Sequence, residues 1–199
     1  MTIVENKDSA KFDGPQIIFK DKSRKEIANI TSVGVLVHTG RLERGGDPNF
    51  LLVELIDEEG HPWGVPAGRS EPGETTSENV AAREVLEETG LEIDPSKLKL
   101  FLLMDKEEVL TRANTFVTRR KVVFSYQVEW SEIKELGSWR YIEGIFIFEP
   151  RKAEEREVGR LALMSANDLF QRGHPIIQKY YRWDVWHGIK EKLEGLRVI

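Results

Sequence analysis

Glu84, Glu87 and Glu88 are the residues of this 199-residue chain whose types and spacing best suit chemistry. On a helix turning about 100° per residue, setting Glu84 at 0° puts Glu87 near 300° and Glu88 near 40°, so three carboxylates share one face. Ala82, Val85, Leu86 and Thr89 fall between about 100° and 200°, which predicts a buried stripe opposite the acidic one. Such a cluster is strained. Like charges at helical spacing repel by roughly 0.2–0.5 kcal/mol per pair. Glu87 and Glu88 also stand in the last turn before Gly90, where the helix dipole opposes anions by roughly 0.3–1 kcal/mol. Arg83 can answer Glu87 one turn away, which leaves Glu84 and Glu88. The face is either a solvated polar surface or the seat of a hard divalent cation. Carboxylates without cysteine or a histidine at ligand spacing favour Mg²⁺ or Mn²⁺ over Zn²⁺.

The elements that must position these groups can be read around them. Residues 68–75 (GRSEPGET) read as a loop, followed by a helix of about 13–14 residues that closes at Gly90, a natural left-handed C′ residue. Its start has two readings. Thr75 with Glu78 makes a capping box; a cap at Thr76 begins the helix one residue later. Residues 30–38 and 50–56 are β-branched or apolar runs separated by the Gly/Asp/Pro-rich stretch 40–48, hence strand, long turn, strand. Trp63–Pro66 is a further extended piece, because the residue before a proline avoids helix. Strands are expected at 97–104, 116–129, 144–149 and 158–164, with 131–144 an inserted turn region. Ser165–Asp168 can cap a short helix, and a longer helix is expected over 175–195, opening at Pro175. Strands mixed with a few helices, without regular alternation, indicate an α/β or α+β sheet fold.

At residues 68–91 the sequence resembles the Nudix hydrolase family. Gly68, Glu74, Arg83-Glu84-Val85, Glu87-Glu88, Gly90 and Leu91 fill the specified places of that family's motif. One departure exists: eight residues rather than seven separate Glu74 from Arg83. The resemblance implies an α/β/α sandwich with a mixed β-sheet over residues 30–172, preceded by an extension (1–29) and followed by a C-terminal helical segment (173–199). It also implies hydrolysis of a phosphoanhydride in a nucleoside diphosphate linked to another group, with Mg²⁺ or Mn²⁺. Carried over position by position, Glu84 and Glu88 are the principal metal ligands, with Glu87 a ligand or the base. The Gly68 carbonyl is a further ligand, Arg83 orients the glutamates, and Glu74 contributes from further out. These residue types suit the reaction: a pyrophosphate repels hydroxide, and bound cations neutralise its oxygens and acidify a water.

Relatives of this kind often draw the general base from a loop outside the motif, which points to the acidic run 153–157 and to Glu157 within it. Glu154 and Glu155 stand next in line, and a solvated acidic loop is the plain alternative. Trp63 either stacks on a substrate base or packs in the core, and Arg69 is within reach of a phosphate. Arg119, Arg120 and Lys121 alternate faces along a strand and are expected at the surface. His38, His61, His174 and His187 show no metal spacing. Tyr180, Tyr181, Trp183, Trp186 and Ile189 spread around the C-terminal helix, so it is either wrapped by its own domain or meets a second subunit of a homodimer.

Which nucleotide derivative is taken is nearly silent: Lys106–Val109 holds neither the proline nor the tyrosine that marks subfamilies, and Val65–Gly68 is a faint echo of ADP-sugar hydrolases. The expected substrate is a nucleotide sugar such as ADP-ribose, or a nucleoside triphosphate. The competing class is a nucleotide sensor of the same fold without turnover. With 29 basic against 34 acidic side chains, net −5, non-specific nucleic-acid binding is not the expected role. No run approaches the ~20 apolar residues of a membrane span. Zero cysteines and no apolar leader in residues 1–14 make the cytoplasm the expected compartment.

Overall fold

Side-chain alternation along β3 (Ile27–Thr39) sorts the molecule into layers. Val33, Val35 and Val37 pack with Leu51 and Val53 of β4 (Asn49–Leu55), with Val80, Ala81 and Val85 of α1 (Ser77–Thr89), and with Ile133 of α2 (Trp130–Glu135). Leu36 belongs to the other face, with Phe50 and Leu52, beneath Trp186, Ile189 and Leu193 of α3 (Trp183–Gly195). Helices therefore cover both faces of one sheet, an α/β/α sandwich. The computed structural model describes residues 2–3, 16–18, 27–56, 63–71, 74, 76–110, 115–142, 145–150, 158–172 and 183–199.

The remaining strands are β1 (Thr2–Ile3), β2 (Gln16–Ile18), β5 (Trp63–Gly64), β6 (Ala67–Arg69), β7 (Lys99–Leu110), β8 (Thr115–Gln127), β9 (Gly137–Ile142), β10 (Ile145–Pro150) and β11 (Val158–Ser165). The main path of the sheet is β1-β7-β8-β3-β4-β11-β10-β9. β3 and β8 run parallel from Ala28↔Val117 to His38↔Gln127, and the other described pairs are antiparallel, so the sheet is mixed. β3 and β4 pair at His38↔Phe50 and Thr39↔Asn49. Further along, β3 takes β6 as its neighbour and β4 takes β5. The segment that leads into α1 is thereby seated between the two central strands.

One expected turn region is ordered differently. Residues 131–144 hold α2 and β9 rather than an inserted turn. Glu132 accepts from the Glu129 N–H at 2.8 Å, and Ile133, fully buried, anchors the short helix to the core. β9 then pairs along β10 from Gly137↔Pro150 to Ile142↔Ile145. Six helical residues are too few to show a hydrophobic period, and Gly137-Ser138 looks like turn punctuation until Trp139 is seen packing on Phe148, ring centroids 3.9 Å apart. Among the described residues the C-terminal helix spans Trp183–Gly195; its expected opening at Pro175 lies outside them. Trp186, Ile189 and Leu193 pack on the chain's own sheet. No helix among the described residues is long and apolar enough to cross a membrane.

Candidate active site

The acidic helix is bounded by two local devices. Thr76, extended at φ −138° and ψ 147°, accepts the Asn79 N–H on its hydroxyl at 3.2 Å, a cap of roughly 1 kcal/mol. Gly90 adopts φ 78° and donates its N–H to the Leu86 carbonyl at 2.8 Å. Between them α1 is regular. The residue that departs from the family spacing thus precedes the helix, and the register from Arg83 to Gly90 is untouched. Deleting Thr75 is accordingly expected to keep turnover within about tenfold of the parent, a barrier change under roughly 1.4 kcal/mol. A folded but inactive deletion variant in a steady-state assay would refute this.

The wheel placed the three glutamates on a face turned away from the core, and that face is where the structure departs most from expectation. Ser77, Ala81, Glu84 and Glu88 lie within about 60° of one another and all four are buried. Val80, Val85 and Thr89 flank them, whereas Leu86 is 45% exposed. Glu84 and Glu88, each 8% exposed, therefore face inward against β6, and Glu87 lies outside. Small residues permit the approach. A methyl group added at Gly68 would overlap the Glu84 carboxylate, and the Ala67 N–H donates to Glu88 Oε2 at 3.0 Å. Leucine at position 86 misleads the wheel because the true boundary of the buried arc falls between Val85 and Leu86.

Arg83 ties the rest together. Its Nε donates to Glu74 Oε1 at 2.8 Å, Nη1 reaches both Glu84 Oε1 and Glu87 Oε2 at 2.8 Å, and Nη2 donates to the Arg69 carbonyl at 2.7 Å. One guanidinium so serves three carboxylates and a strand end. The hydrogen bonds from Glu74 raise the Arg83 pKa above its ordinary value, and the bonds from Arg83 hold Glu74 below the usual carboxylate range. Glu74 Oε2 also accepts from the Glu71 N–H at 2.6 Å, which closes the loop before the helix. Buried carboxylates need compensation, and a single Arg charge shared three ways supplies part of it. The donor set of Glu84 and Glu88 is hard oxygen, suited to Mg²⁺ or Mn²⁺. Among the described residues no three acidic or histidine groups converge tightly enough to enclose an ion; Glu87 is turned to Arg83.

Ala67 also lines a cleft on the opposite side of β6, between the sheet and α3, with Ser32, Gly34, Lys121, Val123 and Trp186. Sequence reasoning assigned Lys121 to the surface; only the register of β8 against β3 reveals its place. Arg69 is exposed at the end of β6. Trp63, 2% exposed, lies in the core beneath Arg160, whose guanidinium is 5.6 Å from the ring centroid and donates twice to Glu54 at 2.6 Å. No motif flagged that pair, which forms where β11 slips register against β4 between Val158 and Leu161. Glu157, with Glu154 and Glu155, lies outside the described residues.

His38 is remote from this chemistry. Burial lowers its pKa from 6.5 to about 4, and Nδ1 lies 3.1 Å from the Gly40 carbonyl. The unfolded chain therefore binds the extra proton across that window, and stability must fall as pH drops from about 6.5 towards 4, by about 2–3 kcal/mol. Urea unfolding at several pH values should show this loss in the parent and a flatter profile in His38→Gln.

Helices on both faces of a mixed sheet, with buried glutamates of one helix set against a glycine strand, define an α/β/α sandwich with an acidic site at its centre. The NUDIX domain family model matches residues 29–183, and the chain belongs to that family. Among solved structures, the NUDIX domain of Shewanella oneidensis NrtR complexed with ADP ribose aligns at TM-score 0.54 and 14% identity, covering 89% of this chain and 94% of that one. A NUDIX hydrolase from Nitrosomonas europaea aligns at 0.51 and 23% identity, covering 85% and 91%. A bifunctional NMN adenylyltransferase/ADP ribose pyrophosphatase from Francisella tularensis, complexed with AMP and a manganese ion, aligns at 0.51 and 17%, covering 84% of this chain and 42% of that one. These likenesses establish the fold. A comparison with curated protein sequences finds no match.

Proposed function

We propose that this chain is a Mg²⁺- or Mn²⁺-dependent hydrolase that cleaves the phosphoanhydride of a nucleoside diphosphate linked to another group. The observation that carries this reading is the inward pair Glu84 and Glu88, seated against Gly68 and Ala67 at the edge of a cleft. A fold has no reason to bury two carboxylates on one helix face unless something repays their desolvation. Glu84 and Glu88, with Glu87 and the Gly68 carbonyl, would hold the metal, which when bound supplies charge neutralisation and an acidified water. Arg83 keeps the glutamates oriented, and Glu74 keeps Arg83 in place. The proton of the attacking water is assigned to Glu87 or Glu157. Trp63 supports the cleft from below, and Arg69 approaches the phosphates from the end of β6.

Two structural relatives carry ADP ribose, or AMP with manganese, so a nucleotide sugar such as ADP-ribose leads the substrate panel, followed by nucleoside triphosphates. A second reading, a nucleotide-binding domain without turnover, is favoured by one observation: Arg83 engages both Glu84 and Glu87. Steady-state turnover of the panel with Mg²⁺ or Mn²⁺ decides. Hydrolysis of one member at a kcat near or above about 1 s⁻¹ supports the enzyme. Tight nucleotide binding with no product under either metal refutes it in favour of the sensor.

A further inference from the structure

Strand register gathers three polar residues into one row. Ser32 on β3 stands opposite Arg69 on β6 and opposite Lys121 on β8. Residues directly opposite one another share a face of the sheet. Ser32 and Lys121 both line the cleft, as do all three members of the next row inward, Ala67, Gly34 and Val123. Arg69 and Lys121 thus stand two strand spacings apart, about 10 Å, astride a hydroxyl at the rim of a cleft whose walls are mostly apolar. Gly68, between Ala67 and Arg69, faces the opposite way, towards Glu84.

A plain row of solvated basic residues would lie wholly in water. Here Lys121 and Ser32 are half-buried, and the next two residues of the strand, Val122 and Val123, are almost fully buried. Two cations held this close are costly by themselves and favourable with an anion between them. Ala67, which donates to Glu88, lies two residues from Arg69, about 7 Å along the strand. A diphosphate can span that distance.

We infer that Lys121, with Arg69 and Ser32, forms an anion-binding wall of the cleft that receives a phosphate of the nucleotide. This rests on the proposed function, because it names where that substrate's charge is held. Lys121 is then a residue of substrate specificity: it favours ligands that bring a phosphate to the rim and is indifferent to the bare nucleoside.

The test uses the full chain with Mg²⁺ and compares Lys121→Met and Lys121→Arg with the parent. Calorimetry with AMP, GMP, CMP and UMP, and with the matching nucleosides, reads binding, and turnover of the substrate panel reads KM against kcat. We expect Lys121→Met to weaken the best monophosphate about tenfold and leave its nucleoside within about twofold. KM should rise more than kcat falls, and Lys121→Arg should recover most of the loss. Equal weakening of nucleoside and monophosphate, or unchanged monophosphate binding, would overturn the wall. If no panel member is hydrolysed by the parent while the monophosphate-specific loss is still seen, the hydrolase reading fails and the wall stands.

Discussion

Glu88→Gln is expected to lower turnover by about two orders of magnitude or more, the scale on which a single catalytic charge interaction acts. The substitution keeps side-chain volume and an oxygen able to accept the Ala67 N–H, so the contact that seats the end of α1 on β6 survives. What is lost is a buried negative charge near the C-terminus of a helix with no basic residue in its last turn. Removing an anion there relieves roughly 0.3–1 kcal/mol of dipole opposition, so thermal stability should hold or rise slightly. Loss of activity without loss of stability is the signature of a ligand rather than a structural brace. Parental turnover for Glu88→Gln at ordinary Mg²⁺ would remove Glu88 from the metal site.

The acidic motif was legible in the sequence because its residues are close together and its boundaries carry their own chemistry. Thr76 and Gly90 bound α1 by local hydrogen bonds, so the helix could be read to within a residue. The face it buries could not. A wheel ranks residues by hydrophobicity, and here glutamate is turned in while Leu86 is turned out. That inversion depends on Gly68 and Ala67, which reach the helix only because β6 pairs with β3 through Val33↔Gly68. The partner of Glu88 is a backbone N–H, invisible to any reading of side-chain types. Lys121 was misread for a related reason. Its surroundings follow from a parallel pairing between strands far apart in sequence, and a triplet of basic residues looks solvent-facing until that pairing is known. Arg83, by contrast, was read as an orienting residue from resemblance, and it bonds Glu74, Glu84 and Glu87 together. What escaped was its hold on Glu84, since neighbours in a helix sequence do not share a face and only a long guanidinium can bridge them.

Gly68→Ala is expected to abolish most turnover, by about 100-fold or more, while leaving the fold nearly as stable as the parent. Gly68 does not use a positive φ, so alanine is not strained there by backbone conformation. The conflict is one of space: the added methyl falls on the Glu84 carboxylate. That carboxylate is the far end of a flexible side chain, so it can swing aside without moving α1 or β6, and the stability cost should stay within about 1 kcal/mol. Displacing it is a different matter for chemistry, because a misplacement of about 1 Å can cost on the order of 100-fold in rate. Gly90→Ala supplies the contrast. Its φ of 78° is left-handed, and nothing lies within 4 Å of an added methyl. That variant should lose about 1–2 kcal/mol of stability to backbone strain while turnover per folded molecule stays within about threefold of the parent. Melting temperature and steady-state turnover, measured together on both variants, separate the two effects. If Gly68→Ala keeps parental turnover, Glu84 does not act from the position it holds against β6, and the metal-ligand assignment would have to pass to Glu87 and Glu88 alone.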